Sequence, residues 1–131
     1  MAPVSAGPLQ RLHGEIDKAT TDPYLLTVTG DSRPHCSCAE VTWRESGLVA
    51  PAPSGWAGSE ALGYQQVTFL WPPAEPSGYS LIVDGIANSA LIEGQPMLVV
   101  TPTRAVWHRR GETTSPAGTS CQSDCIPIFP A

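Results

Sequence analysis

Between Pro23 and Pro102 the longest stretch free of glycine and proline runs from His35 to Ser46. That spacing leaves no room for a long helix, because proline removes a hydrogen-bond donor and clashes with the preceding turn. With 14 prolines and 12 glycines in 131 residues, the segments between breakers are short, and most are rich in strand formers. Tyr24 to Thr29 is such a run, and it ends at the turn-forming Gly30-Asp31-Ser32-Arg33. His35 to Trp43 alternates loosely, with Cys36, Cys38 and Glu40 on one face, and reads as the return strand of a hairpin. Leu48 to Ala50, Val67 to Trp71 and Tyr79 to Ala87 follow as strands, Ser89 to Glu93 continues the last of these, and Gly94-Gln95 is a turn. Met97 to Thr101 and Ala105 to Arg109 are expected as two final strands. Gly85, inside an otherwise apolar alternation, predicts a bulge or sharp bend.

Only the N-terminus reads as helical. Pro8 suits a first turn, and Leu9, Leu12, Ile16 and Ala19 fall on one face at helical spacing. The expected fold is mainly β: an antiparallel split β-barrel of six to seven strands with a short N-terminal helix. Residues 1–110 would form the barrel domain. Residues 111–131 would form a Gly/Ser/Pro-rich mobile tail carrying Cys121-x3-Cys125, because Gly111 to Ser120 buries too little to order itself.

Charge narrows the partners. The formal net charge is −5, and the basic cluster Arg104, Arg109 and Arg110 is too short to track a nucleic-acid backbone. One compact anionic group, such as a phosphate, suits it better. No apolar run reaches the 18 or so residues of a membrane-spanning helix. Met1 to Gln10 has neither a basic nor an apolar leader region, so a cytoplasmic location is expected. Cys36 and Cys38 lie two apart on a strand, about 7 Å, too far to bridge each other comfortably. Cys-x-Cys also falls short of the usual zinc-knuckle spacing, so no metal is expected. A tail disulfide or redox pair of Cys121 and Cys125 stays open beside ordinary thiols.

Several segments, taken in order, resemble the pyridoxamine 5′-phosphate oxidase-like proteins. They are Tyr24-Leu-Leu-Thr-Val-Thr-Gly-Asp-Ser-Arg-Pro-His35, Val67-Thr-Phe-Leu-Trp-Pro-Pro73, Tyr79-Ser-Leu-Ile-Val-Asp-Gly-Ile-Ala87 and Thr101-Pro-Thr-Arg-Ala-Val-Trp-His108. The tail Cys121-Gln-Ser-Asp-Cys-Ile-Pro127 is similar to one in some actinobacterial members. The resemblance implies a homodimer holding FMN, or alternatively the deazaflavin F420, in clefts at the interface. It implies an oxidoreductase that transfers a hydride to or from a small conjugated substrate, with the chemistry carried by the cofactor.

On that resemblance the cofactor-binding residues would be Arg33, His35, Ser54, Gly58, Ser59, Trp71, Arg104 and Trp107. Backbone amides and hydroxyls around Ser54 to Ser59, helped by Arg33 or Arg104, would hold the phosphate. Trp71 and Trp107 would wall the ring, although core packing explains either indole equally well. His35 and His108 are the titratable groups suited to acid chemistry near neutral pH. Asp84 before Gly85 reads as a carboxylate accepting backbone amides at the bulge. Ala52 to Ala61 carries no basic residue, and Glu60 has the wrong sign for a phosphate neighbour. That favours the alternative of a non-catalytic protein binding flavin, haem or an apolar ligand on the same barrel.

Overall fold

A computed structural model describes residues 7–28, 33–45, 47–53, 65–110 and 123–130. One helix, α1 (Gly7–Lys18), precedes eight strands: β1 (Tyr24–Val28), β2 (Pro34–Cys38), β3 (Thr42–Arg44), β4 (Gly47–Pro51), β5 (Gln65–Trp71), β6 (Ser80–Ile92), β7 (Gln95–Arg110) and β8 (Ser123–Phe129). All pair antiparallel in one sheet of order β2-β1-β5-β6-β7-β4-β3, with β8 also on β7. The fold is therefore mainly β with one short helix, as the breaker spacing predicts.

The two outermost strands of that order, β2 and β3, are consecutive in the chain and separated only by residues 39–41. In a flat sheet six inter-strand gaps would hold them about 29 Å apart. Four residues of chain reach about 14 Å at most. The sheet must therefore curl back on itself. Among the described residues no ladder joins β2 to β3, so it curls without closing by hydrogen bonds. The Ala39 N–H donates to the Pro23 carbonyl at 3.1 Å, where the segment leaves β2 for β3. Helix α1 spans the curl. Leu12 is fully buried in the core, His13 stacks on Trp43 of β3 with ring centroids 4.8 Å apart, and Arg11 reaches the Pro127 carbonyl on β8.

Four expectations need correction. The return strand from His35 to Trp43 is two strands, because its halves pair with different partners, β1 and β4. The final two strands are one continuous β7. Pro102 sits inside it opposite Gly85, at the bulge between Asp84 and Gly85. It also lies in the gap between Val100, which pairs with β4, and Ala105, which pairs with β8, where the ladder can spare a donor. The β6–β7 turn is Glu93-Gly94, with φ of 53° and 81°, the two-residue hairpin that matches strand twist. Finally, residues 123–129 of the supposed tail form β8, and Ile128 is buried at 1% exposure. One buried aliphatic side chain supplies about 1.5–3 kcal/mol, which composition alone does not reveal. Adding β8 and counting Pro34 to Arg44 as two strands, while the last two expected strands merge into β7, yields eight strands where six or seven were expected.

The core is the inner face of the curl, with Leu25, Leu48, Phe69, Leu81, Val83, Leu98, Val100 and Ile128 buried together. The expected alternation holds on β6: Leu81 and Val83 are buried, while Ile82 and Asp84 are half-buried on the outer side. Among the described residues no helix is long and apolar enough to cross a membrane.

Candidate binding cleft

Strand register aligns one residue from each of five strands into a row on the outer face. Cys36 faces Leu26, Leu26 faces Thr68, Thr68 faces Asp84, and Asp84 faces Arg104. Directly opposed residues of antiparallel strands share a face and bring their side chains within contact distance. The Thr68 hydroxyl donates to Asp84 Oδ1 at 2.7 Å, and Arg104 Nη1 donates to Asp84 Oδ2 at 3.3 Å. Asp84 thus accepts from two side chains on neighbouring strands, in place of the backbone amides expected from its position at the bulge. The carboxylate orients the guanidinium, whose side chain remains 60% exposed.

Around this row lies a cleft of about 740 Å³ lined by Leu26, Val28, Pro34, His35, Ile86, Thr103 and their neighbours. Small-molecule sites commonly measure about 300–1,000 Å³, mostly apolar with a few placed polar groups. This cleft has that character: apolar side chains from β1 and β6, and polar groups from β5, β6 and β7.

Of the residues expected at a cofactor site, His35 and Arg104 border this cleft; His35 shares the parity of Thr27, opposite to that of Cys36 and the row. Arg33 is exposed beside Pro34, which lines the same cleft. Ser54, Gly58 and Ser59 lie outside the described residues. The two indoles are elsewhere. Trp71 is 5% exposed and packs against Phe69 with centroids 6.1 Å apart. Trp107 lies under α1, where its Nε1–H donates to Glu15 Oε1 at 2.7 Å. That bond, followed by the one from Lys18, holds the Glu15 carboxyl below its ordinary range. Both indoles instead border a separate hollow of about 200 Å³ beside Pro72 and Tyr79. Parity explains the separation: Trp71 is three residues after Thr68 and Trp107 three after Arg104, and an odd offset on a strand means the opposite face. That spacing is visible in the sequence, and it also marks Thr68, which the sequence reading passes over.

A second polar cluster secures β8. The Tyr79 hydroxyl and Arg109 Nη2 both donate to Asp124 Oδ2 at 2.7 Å, and the Arg109 guanidinium lies 4.6 Å from the Tyr79 ring centroid. Tyr79, and after it Arg109, holds the Asp124 carboxyl below its ordinary range. The same bond to Asp124, with some burial, holds the Tyr79 phenol above its own. A depressed carboxyl contributes stability at neutral pH that is lost as pH falls through its folded value. A raised phenol contributes below its ordinary value and loses that contribution as pH rises through the folded one. The attachment of β8 is therefore expected to weaken at both extremes. Asp124→Asn should flatten the acid side of a thermal-unfolding profile recorded from about pH 2 to 6, and an unchanged profile would contradict the latch.

No family model matches the chain. It is 37% identical over 116 residues to the uncharacterized protein Mb0449c of Mycobacterium bovis, covering 79% of this chain and 82% of that protein. The uncharacterized protein MT0457 of Mycobacterium tuberculosis aligns with the same identity and coverage. The chain belongs to the family of these mycobacterial proteins. The names of these two family members carry no activity, so the functional reading rests on the cleft.

Proposed function

We propose that the outer-face cleft holds FMN or the deazaflavin F420 and that the protein is an oxidoreductase of the pyridoxamine 5′-phosphate oxidase-like kind. The observation that carries the reading is Arg104, an exposed guanidinium oriented by Asp84 at an apolar cleft of about 740 Å³. A fork of parallel donors suits a phosphate or a pair of ring carbonyls. Leu26, Val28 and Ile86 offer apolar contact to a flat ring, with Gln66 and Thr103 as further polar groups at the same cleft. His35 also borders it. The flavin, when bound, supplies hydride transfer at its N5 position to or from a small conjugated substrate.

A second copy of the chain completes the site in this reading. Tyr24 and Val28, exposed at 38% and 46% on β1, lie on the cleft face and offer apolar area to a homodimer partner that would shut water out. A cytoplasmic location accords with flavin chemistry supplied by soluble donors. The rival reading, a non-catalytic carrier on the same barrel, is favoured by the placement of Trp71 and Trp107 away from the cleft, which leaves the ring without an indole wall.

Titration of purified protein with FMN and F420, followed by flavin fluorescence, tests the proposal. Saturable quenching at micromolar flavin is expected. No binding at millimolar concentrations of either would overturn it. If flavin binds, bleaching of the bound chromophore by a nicotinamide donor separates the enzyme from the carrier.

A further inference from the structure

The capture of the C-terminal segment as β8 sets Cys125 opposite His108 on β7, and Cys125 Sγ lies 3.4 Å from His108 Nδ1. The pair lies on an exposed surface away from the cleft lining. Its geometry is held from both directions along β8. One residue earlier Asp124 is tied to Tyr79 and Arg109, and three residues later Ile128 is locked in the core. Cys36 and Cys38 on β2 are exposed as well. Among the described residues, Cys125 is the cysteine with an imidazole nitrogen at its sulfur.

We propose that Cys125 is a reactive thiol, with His108 as its base, that undergoes thiol–disulfide exchange with small disulfides. A thiol is a poor nucleophile until its proton leaves, and a neighbouring imidazole can take it. In the exchange, Cys125 Sγ attacks one sulfur of the small disulfide while its proton passes to His108 Nδ1. The sulfur–sulfur bond of the reagent breaks, and a new one forms between Cys125 and one half. The other half departs as a thiolate. Cys125 is oxidised and the departing half reduced, so no further oxidant is required. The product is a mixed disulfide on the exposed surface of β8, and it stands independently of whether the cleft binds a flavin.

The test uses the full chain with Cys121→Ser, so that no second thiol of the C-terminal segment resolves the adduct. An aromatic disulfide reagent is added below stoichiometry at neutral pH, and adducts are located by peptide mass mapping. Cys125 is expected to react about five- to tenfold faster than Cys36 and Cys38, the gain expected from base assistance at the sulfur. His108→Gln keeps a hydrogen-bonding side chain but cannot take the proton. It should bring Cys125 down to the rate of the other two while circular dichroism stays unchanged. Equal rates at the three sites of the otherwise native chain would overturn the proposal without any His108 variant. A preference for Cys125 that survives in folded His108→Gln would overturn the role of the imidazole.

Discussion

Arg104→Ala is expected to weaken flavin binding by about 10- to 100-fold, while leaving the fold intact. A hydrogen bond to a charged partner contributes about 1.5–3 kcal/mol, and each 1.4 kcal/mol is about a factor of ten in affinity. The substitution also leaves the Asp84 carboxylate in the cleft with the Thr68 hydroxyl as its remaining side-chain donor, so a negative charge then faces the anionic ligand. Stability should barely change, because an exposed ion pair contributes only about 0–1 kcal/mol. Binding and folding therefore separate. Arg104→Lys should fall between wild type and alanine, since it keeps the charge and loses the planar fork. Fluorescence titration of the three proteins provides the comparison. Wild-type affinity in Arg104→Ala would place the phosphate elsewhere and remove the observation on which the proposed function rests.

Gly85→Ala should destabilise the sheet strongly for a single added methyl. A Cβ at Gly85 would stand 2.5 Å from Val100 Cγ1 and 2.7 Å from the Thr101 carbonyl oxygen. The side chain of Val100 can turn, but the backbone oxygen cannot move without opening the β6–β7 seam. Overpacking of this kind costs about 1–3 kcal/mol, or a fall in melting temperature of roughly 4–12 °C for a domain of this size. Gly47 approaches Val100 from β4: a Cβ there would lie 2.6 Å from the Val100 carbonyl oxygen. Both glycines thus let β7 pass closely between β4 and β6. Gly47→Ala and Gly85→Ala are expected to couple, with the double variant losing less than the sum, because the same shift of β7 relieves both contacts. Thermal and urea unfolding of the single and double variants measures this. Strict additivity would mean that the two strands adjust independently.

Much of this architecture is local and therefore legible. The breakers between Pro23 and Pro102 limit helix length wherever they fall, and the β-formers between them become strands in any context that buries one face. The bulge at Gly85 announces itself as a glycine within an apolar alternation. The helix face of Leu12, Ile16 and Ala19 follows from a period that needs no partner to define it.

The site is legible only in part. His35 and Arg104 both border the cleft, yet Trp71 and Trp107, grouped with them in sequence, face away from Thr68 and Arg104 by strand parity. Asp84 looks like a carboxylate serving the bulge until register places Thr68 and Arg104 beside it. The capture of β8 is equally non-local. Segment 123–129 has no strong strand signature, and its order depends on a core vacancy for Ile128 and on Tyr79 and Arg109 arriving from two other strands.

The sequence by itself determined the N-terminal helix, the breaker-bounded strand segments before residue 111, the bulge and the mainly-β class, because those depend on backbone sterics and on periodicity within a few residues. Only the tertiary structure decided which residues share the cleft, that β7 serves β4 along one half and β8 along the other, and that Cys125 meets His108. Each of those depends on register between strands far apart in the chain, where a shift of a single residue would turn every side chain to the opposite face.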